Sequence, residues 1–198
     1  MAVRPYEKPL SDCTVLIAGL GLMGGSLGLA LQGKAAHIVG AARRRETLRQ
    51  ALAMGAIEEG YESLAAGVSA ADIVVLATPV GIVLQQIAEL GELARAGVAQ
   101  VGCVVLDLGS TKELVCQAML ALPDSLEPLG CHPMCGKETS GIEVAEARLY
   151  QGAPFAITPL ARTRPQTVAL ARELAESVGA RPIELDPARH DHLVAAIS

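Results

Sequence analysis

Residues Thr14–Ala18 form an apolar, β-prone run that breaks directly into Gly19-Leu20-Gly21-Leu22-Met23-Gly24, and the residues after it favour a helix. In such a strand, turn and helix, the first glycine makes the turn and the second admits a pyrophosphate. The third allows close packing of the helix on the strand. Phosphates bind the helix N-terminus through its free N–H groups and positive dipole end. We therefore predict a dinucleotide site rather than a plain packing turn, with contacts from Gly19, Leu20, Gly21, Leu22, Met23 and Gly24.

The second apolar strand ends near Ala41, and three arginines follow it closely: Arg43, Arg44 and Arg45. Dinucleotide folds that bind NAD place an acidic residue here, on the ribose 2′-hydroxyl, whereas an arginine accommodates a 2′-phosphate. This chain has no acid at that point. The pattern favours NADP over NAD, although the arginines would also suit an exposed first helical turn.

Further strand-like runs alternate with helical segments along the rest of the chain. Strands are predicted at 72–77, 103–107, 126–131, 154–158 and 181–185. Such alternation predicts an α/β fold with a doubly wound, mainly parallel Rossmann-type sheet, whose ligands lie at the carboxyl ends of the strands. Two more loops leave those ends. One is Thr78-Pro79-Val80, which we add to the cofactor site, and the other runs from Leu108 to Lys112.

Composition excludes several classes of function. Aromatic residues are only 2% of the chain while 51% is hydrophobic, which suits a sheet of Ala, Val, Leu and Ile covered by helices. A net charge of −5 argues against a nucleic-acid partner. The five scattered cysteines indicate buried thiols of a reducing cytoplasm. Cys131 and Cys135 flank His132, but this spacing lacks a second ligand pair, so we expect no metal site.

The predicted organisation has three parts. Residues 1–12 are charged, lack an apolar core and are expected to be a disordered lead rather than a signal peptide. Residues 13–186 form the dinucleotide-binding domain, and residues 187–198 begin a truncated helical dimerisation domain. The uncharged stretch from Thr14 to Gly33 is rich in glycine and is not expected to span a membrane.

The segment from His132 to Gly141 reads His-Pro-Met-Cys-Gly-Lys-Glu-Thr-Ser-Gly. It follows a strand-like run, so it is expected to open at the same sheet edge as the glycine turn. An imidazole with an ordinary pKa near 6.5 exchanges protons readily at neutral pH. A His-bearing loop in a dinucleotide-binding fold therefore suggests redox chemistry.

Four motifs together carry a family resemblance. The glycine turn, Asp107-Leu108-Gly109-Ser110-Thr111-Lys112, His132-Pro133-Met134 with Gly136 and Ser140-Gly141, and Ile157-Thr158-Pro159 occur in the order and spacing of the prephenate/arogenate dehydrogenases. The chain resembles this family over residues 13–198. The specific part is the His-Pro-Met segment paired with the Gly-Ser-x-Lys turn, because the glycine fingerprint alone is widespread.

The resemblance implies an oxidative decarboxylation of prephenate or arogenate on the way to tyrosine. It implies that His132 takes the substrate hydroxyl proton, and that Ser110 holds that hydroxyl or the nicotinamide amide. It places Glu138 and Lys112 near the substrate, although Lys112 also suits support of its turn and Glu138 an exposed loop. His190-Asp191 matches the start of the family's next helix, where we favour a structural role. The arginine-rich loop tilts the substrate slightly towards arogenate, and the choice stays open.

Members of the family continue beyond this point into a helical domain that forms the homodimer and supplies basic residues for the substrate carboxylates. We expect this chain to be a truncated form, with its own activity in doubt and its cofactor binding retained. Two alternatives remain open. One is another NADP dehydrogenase for a small substrate, such as a β-hydroxyacid type, and the other is an NADP-binding regulatory module without turnover.

Overall fold

The computed structural model describes residues 4–197, which form one eight-stranded sheet covered by helices on both faces. The strands are β1 (Thr14–Ala18), β2 (His37–Ala41), β3 (Glu59–Tyr61), β4 (Ile73–Leu76), β5 (Cys103–Asp107), β6 (Leu126–Pro133), β7 (Pro154–Thr158) and β8 (Arg181–Glu184). Their order across the sheet is β3-β2-β1-β4-β5-β6-β7-β8. The first six are parallel, β7 runs antiparallel to β6, and β8 runs parallel to β7. The strand order reverses between β1 and β4, where ligands of such folds bind.

The helices are α1 (Leu22–Leu31), α2 (Arg45–Ala53), α3 (Leu64–Gly67), α4 (Val80–Arg95), α5 (Glu113–Leu120), α6 (Pro165–Ser177) and α7 (Pro187–Ile197). Short 3₁₀ turns lie at Pro5–Glu7, Leu10–Asp12, Val68–Ala70 and Ile142–Val144. Within the described part of the chain, none of these helices is long and apolar enough to cross a membrane.

Two apolar cores lie on opposite faces of the sheet, because successive strand side chains point to opposite faces. In β1, Val15 and Ile17 pack with α1, α2 and α6, while Leu16 and Ala18 pack with α3, α4 and α5. Both faces are therefore buried, as expected for a parallel sheet between helical layers. The predicted α/β, doubly wound, mainly parallel fold is confirmed.

Strand β3 was not predicted from the sequence. It contains only Glu59, Gly60 and Tyr61, and it pairs with β2 at the edge of the sheet, with Val39 opposite Glu59. Three partly exposed residues carry no alternation of apolar and polar side chains long enough to identify a strand. The connection from α2 back to the sheet therefore reads as a loop in the sequence.

Strand β6 is longer than predicted, and this moves His132 from a loop into a strand. Its pairing with β5 ends with Leu106 opposite Leu129, but β7 pairs with its last four residues and places Ala156 opposite His132. The antiparallel ladder with β7 supplies the backbone hydrogen bonds that the sequence pattern around Pro133 did not reveal. His132 thus projects from a fixed strand beyond the end of β5.

The expectation of a disordered lead is wrong for residues 4–12, while residues 1–3 lie outside the described part of the chain. The side chains of Pro5 and Leu10 are buried, and the backbone N–H of Leu10 donates to Glu173 of α6 at 3.2 Å. The ammonium of Lys8 lies 2.6 Å from the Asp72 carboxylate. These few apolar anchors and one part-buried ion pair hold the segment on the domain, which composition alone did not indicate.

Candidate functional site

The first and third glycines of the turn after β1 are required by packing. Gly19 has φ of +104°, and a Cβ there would lie 2.7 Å from Cγ2 of Thr78 and 2.8 Å from the Ala77 carbonyl. A Cβ on Gly24 would collide with the carbonyl oxygen of Gly19 and lie 2.9 Å from Cγ2 of Ile17. Because these contacts close the turn against β4 and the helix against β1, side chains are excluded at both positions.

The middle glycine, Gly21, is different, because a Cβ there would meet no heavy atom within 4 Å. It precedes the first turn of α1, where helical N–H groups have no partner within the helix. Its φ of −85° does not require glycine. The position therefore leaves open space over the helix N-terminus, here called the glycine cradle, which is where dinucleotide-binding folds hold a pyrophosphate.

The carboxyl end of β2 adjoins the glycine turn, since the N–H of Gly19 donates to the Ala41 carbonyl at 2.9 Å. Past this end, Arg43, Arg44 and Arg45 are all exposed. Arg45 makes an ion pair with Glu62 at 2.7 Å, whereas no ion pair within residues 4–197 involves the other two. The guanidinium groups of Arg43 and Arg44 therefore lie exposed, without an ion pair in the described part of the chain, directly past the carboxyl end of β2.

The predicted turn at Thr78, Pro79 and Val80 lies against the same cradle. The methyl group of Thr78 is the atom that a Cβ on Gly19 would meet first, and the Thr78 hydroxyl donates to Oε1 of Gln86 at 2.7 Å. Helix α4 then begins at Val80, so its N-terminus also points to this edge. The turn therefore lies directly beside the glycine turn, at the point where the strand order reverses.

Lys112 is fully buried, which contradicts the prediction that it binds substrate. Its ammonium makes an ion pair with Asp107 and donates to the Cys131 carbonyl at 2.6 Å, and both side chains of the pair are 0% exposed. Asp107 also accepts hydrogen bonds from the N–H groups of Gly109 at 2.8 Å and Cys131 at 3.0 Å. A buried charge needs such partners. Lys112 therefore joins β5 to β6, and its ammonium is not exposed to a substrate.

Ser110 lies on the loop between β5 and α5 and is exposed. It does not cap α5, because the residue preceding that helix is Lys112, whose own side chain makes no capping hydrogen bond. Its hydroxyl is therefore available at the carboxyl edge of the sheet, next to the end of β6. Its role as a catalytic and cofactor-binding residue remains a prediction.

His132 is half-buried at the end of β6, and its ring contacts a second histidine. Nδ1 of His132 lies 2.8 Å from Nε2 of His190, with the two rings at 72° and their centroids 5.0 Å apart. Burial, the neighbouring His190 and the charge of Lys112 lower the pKa of His132 from 6.5 to about 4, against the opposing effect of Asp191. His132 is thus a neutral imidazole at neutral pH.

His190 and Asp191 were predicted to be structural, and their link to His132 was missed. Both lie on α7, His190 fifty-eight residues beyond His132 and Asp191 directly after His190, and the His190 side chain is fully buried against His132. Nδ1 of His190 lies 2.7 Å from Oδ1 of Asp191. The adjacent His and Asp in a chain with four histidines were the available signal, but only the docking of α7 on the domain brings them to the site.

The segment after β6 returns over α1. Ile142 packs directly on Gly25, the N–H of Glu146 donates to Oγ of Ser26 at 2.9 Å, and the hydroxyl of Tyr150 donates to the Met23 carbonyl at 2.7 Å. These contacts hold the segment beside the helix that bears the cradle. Glu138 is exposed within it, and its predicted role in substrate binding remains a prediction.

The five cysteines are free thiols, and burial raises the pKa of Cys13 and Cys103 to about 12. Burial likewise raises the pKa of Cys135 to about 11. Within residues 4–197, no group of three or more His, Cys, Asp or Glu side chains is arranged so that it could hold a metal ion. Cys131 is buried in the apolar core, and the partly buried Cys135 packs against that core.

A sheet with this strand order and a glycine cradle at its switch point defines a dinucleotide-binding domain of the Rossmann type. A sequence model of the family described as prephenate dehydrogenase, nucleotide-binding domain, matches residues 27–184. The chain belongs to this family, which is an oxidoreductase family and which the sequence motifs had predicted.

Individual relatives agree with this assignment. The chain is 36% identical over 190 residues to prephenate dehydrogenase of Bacillus subtilis, covering 93% of this chain and 50% of the relative. The crystal structure of Synechocystis arogenate dehydrogenase superposes with a TM-score of 0.85 at 29% identity, covering 93% of this chain and 64% of that one. Prephenate dehydrogenase from Aquifex aeolicus, solved in complex with hydroxyphenyl propionate and NAD+, superposes with a TM-score of 0.82 at 31% identity. The match covers 94% of this chain and 64% of that one.

The chain spans about half the length of the curated prephenate dehydrogenases that it matches. The family model that matches residues 27–184 is that of the nucleotide-binding domain.

Proposed function

We propose that the protein containing this chain catalyses NAD(P)-dependent oxidative decarboxylation of prephenate or arogenate, giving 4-hydroxyphenylpyruvate or tyrosine. The observation that carries the proposal is the neutral, half-buried imidazole of His132, held at the same sheet edge as the glycine cradle. We further propose a cytoplasmic location, which the free thiols suit, and a homodimer for the whole protein. Residues 187–198 would begin its helical part.

The proposed chemistry needs a base at the substrate hydroxyl. The C4–H bond of the substrate breaks with its electron pair, and the hydroxyl becomes a carbonyl as it loses its proton. Loss of CO2 moves the electron pair of the broken C–C bond into the ring and gives a phenolate, which takes back a proton to become the phenol. Bound NAD(P)+ accepts the hydride. His132 takes the hydroxyl proton, and its low pKa keeps the imidazole unprotonated and ready to do so at neutral pH. Aromaticity of the product favours the overall reaction.

Ser110 and Glu138 complete the proposed substrate site. Ser110 is exposed at the end of β5, one strand from His132, where its hydroxyl would hold the substrate hydroxyl or the nicotinamide amide in line. Glu138 is exposed on the segment that returns over α1 and would face the substrate from there. Lys112 takes no part in this proposal, because its ammonium is buried.

We propose that NADP is preferred to NAD as the cofactor. The end of β2 carries Ala42 where an acidic residue would bind a ribose 2′-hydroxyl, and it carries the exposed Arg43 and Arg44 directly after it. The Aquifex relative was solved with NAD+. The proposed preference for NADP therefore rests on the residues of this chain and not on that relative. Two free guanidinium groups at that position favour a 2′-phosphate.

Calorimetric titration of the chain with NADP and with NAD tests the preference. The double variant Arg43→Ala/Arg44→Ala is expected to lose at least tenfold in NADP affinity, about 1.4 kcal/mol, with NAD affinity unchanged. The charge-matched control is Arg95→Ala/Arg172→Ala, whose residues lie outside the cleft edge on α4 and α6. Equal affinities for NAD and NADP that do not change in Arg43→Ala/Arg44→Ala would contradict a 2′-phosphate site. The two arginines would then be ordinary residues of an exposed helical turn.

Turnover tests the reaction. Assays of the whole protein with prephenate and with arogenate, each with NADP+ and NAD+, are expected to show reduction of the cofactor. His132→Asn is expected to lower turnover by about 10²–10⁴ while leaving cofactor affinity intact. Tight NADP binding without turnover of either substrate would instead support a binding module that does not catalyse.

A further inference from the structure

Three side chains form a continuous hydrogen-bonded chain from β6 into α7. Nδ1 of His132 meets Nε2 of His190 at 2.8 Å, and Nδ1 of His190 meets Oδ1 of Asp191 at 2.7 Å. The His190 ring is fully buried between its two partners. Both nitrogens of this ring are therefore engaged, and each must act as a donor or an acceptor towards one defined atom.

The carboxylate at the far end of the chain is itself fixed. Oδ1 of Asp191 accepts the backbone N–H of Lys112 at 2.7 Å, and Oδ2 accepts that of Glu113 at 3.0 Å. Partial burial alone would raise the pKa of Asp191, but the hydrogen bonds from Glu113, His190 and Lys112 lower it overall. Asp191 is thus an ionised group that only accepts hydrogen bonds.

The Asp191 carboxylate determines which nitrogen of each histidine carries a proton. Because Asp191 only accepts, Nδ1 of His190 carries a proton and donates it. In a neutral His190 the other nitrogen, Nε2, is then an acceptor, so Nδ1 of His132 must be the donor between the two rings. That assignment leaves Nε2 of His132 without a proton and with a free lone pair.

We propose that His190 and Asp191 are positioning residues that hold His132 in the tautomer with a bare Nε2, and that His190 accepts a proton from His132 when that Nε2 is protonated. The proposal rests on the function proposed above, in which His132 is the base, and adds a reason why this base faces the substrate in the correct form. A purely structural role for His190 would require neither property.

Two linked proton transfers connect the substrate hydroxyl to His190. The substrate O–H bond breaks and an Nε2–H bond forms on His132, while the Nδ1–H proton of His132 moves to Nε2 of His190. His132 is then neutral again, and the positive charge resides on His190 beside the Asp191 carboxylate. The groups that face the pair are Asp191, Lys112 and, through Lys112, Asp107. Since buried Lys112 disfavours a cation on His132, the charge is better placed next to Asp191.

One other arrangement fits the same distances and opposes the proposal. If His190 were a cation before the reaction, it would donate to both neighbours, and Nδ1 of His132 would become an acceptor. Nε2 of His132 would then carry the proton and could not take another. The two arrangements differ in which nitrogen of His132 is protonated, and this difference is directly measurable.

Nitrogen-15 NMR of the imidazole nitrogens tests the proposal on this chain without any turnover. The chain has only four histidines, so single substitutions assign every signal. At pH 7, His132 is expected to be protonated at Nδ1 and bare at Nε2, the reverse of the tautomer that free histidine prefers. A proton on Nε2 of His132 in the unmodified chain would overturn the proposal, whatever the variants do.

Two variants separate positioning from packing. His190→Leu removes the acceptor, and His132 is expected to revert to the Nε2–H tautomer. His190→Gln offers a carbonyl oxygen near the place of Nε2, so it is expected to restore the Nδ1–H tautomer without accepting a proton. His192→Leu, at the exposed neighbouring histidine of α7, should leave the His132 signals unchanged. Retention of Nδ1–H in a folded His190→Leu variant would contradict the proposal.

Kinetics of the whole protein supply the second readout. His190→Gln is expected to lower kcat at least tenfold with little change in KM, and to alter the pH profile of kcat, because the proton acceptor is lost while the tautomer is kept. A kcat equal to that of the unmodified protein would refute the proton transfer to His190. Absence of turnover in the unmodified protein, with the NMR result as expected, would instead sink the proposed function and leave the tautomer assignment standing.

Discussion

The buried ion pair between Lys112 and Asp107 joins the end of β5 to the end of β6, and thereby fixes the strand that carries His132. Both side chains are fully buried, and between them they hold the Cys131 backbone through its carbonyl and its N–H. The residue adjacent to Cys131 is His132 itself. A lysine that the sequence suggested as a substrate ligand thus acts through the backbone of the neighbouring strand.

Removing one member of this pair is expected to destabilise the chain strongly. Lys112→Met should lower the free energy of unfolding by about 3–5 kcal/mol, because it leaves the Asp107 charge buried without its partner. Urea unfolding followed by circular dichroism is the measurement, since the chain has no tryptophan. Lys112→Met/Asp107→Leu should recover part of the loss.

The matched control is the exposed ion pair between Arg172 and Glu184, with 2.5 Å between the atoms. Arg172→Gln should cost less than about 1 kcal/mol, as surface pairs usually do. A cost for Lys112→Met no larger than that of the control would show that the buried pair does not hold the two strands.

The sequence predicted most of the sheet because the relevant signals are local. Runs such as Cys103–Asp107 are apolar, β-prone and bounded by turn residues, and the glycine turn identifies its own neighbours. Strand β3 and the end of β6 escaped because their pairing depends on partners distant in the chain, β2 and β7. Local pattern carries no information about such partners.

The candidate site was predicted less completely for the same reason. The motifs identified His132 and the glycine cradle, whose chemistry is visible in the residues themselves. They did not reveal that the Lys112 side chain is buried. Its charge partner Asp107 is the last residue of a predicted strand, and nothing in the sequence pattern marks it as a buried charge. Nor did they reveal the contact of His190 with His132, which requires the docking of α7.

Alanine at two glycines of the same turn is expected to separate dinucleotide affinity from stability. Gly21→Ala should leave the thermal midpoint nearly unchanged, because its backbone suits alanine and its Cβ would meet no atom within 4 Å. It should still lower dinucleotide affinity at least tenfold, or about 1.4 kcal/mol, because the methyl group fills the cradle. Calorimetry and thermal unfolding measure the two quantities.

Gly24→Ala should instead cost about 1–3 kcal/mol or more in stability, because its Cβ would collide with the Gly19 carbonyl. Dinucleotide binding would then be lost along with the fold rather than independently of it. Full affinity in the folded Gly21→Ala variant would place the pyrophosphate elsewhere.

The N-terminal segment is expected to contribute to stability, contrary to its predicted disorder. Leu10 is 2% exposed and packs in the core shared by α1 and α6. Leu10→Ala should therefore lower the free energy of unfolding by about 2–5 kcal/mol. Leu52→Ala, at a leucine that is 43% exposed, is the control and should stay within about 0.5 kcal/mol. Equal free energies of unfolding for the two variants would show that residues 4–12 contribute nothing to the stability of the domain.

The low pKa of His132 predicts a specific loss of stability in mild acid. The folded chain keeps His132 neutral down to pH about 4, whereas the unfolded chain binds a proton near pH 6.5. Between these values the unfolded state binds more protons, so stability falls as the pH decreases from 6.5 to 4. The loss is expected to be roughly 2 kcal/mol, less than the full shift because the ring is partly exposed.

Urea unfolding at a series of pH values isolates this contribution when the chain is compared with His132→Asn. The variant should lose less stability than the parent between pH 7 and 4, and the difference should develop in that window alone. Asp191 cannot imitate the effect, since its lowered pKa places its own loss of stability in the carboxyl range, below the ordinary value of 3.8. His192→Gln, at an exposed histidine, should retain the pH dependence of the parent. Parallel curves for the parent and His132→Asn would mean that burial does not keep this imidazole neutral, and the base proposed for the reaction would lose its physical support.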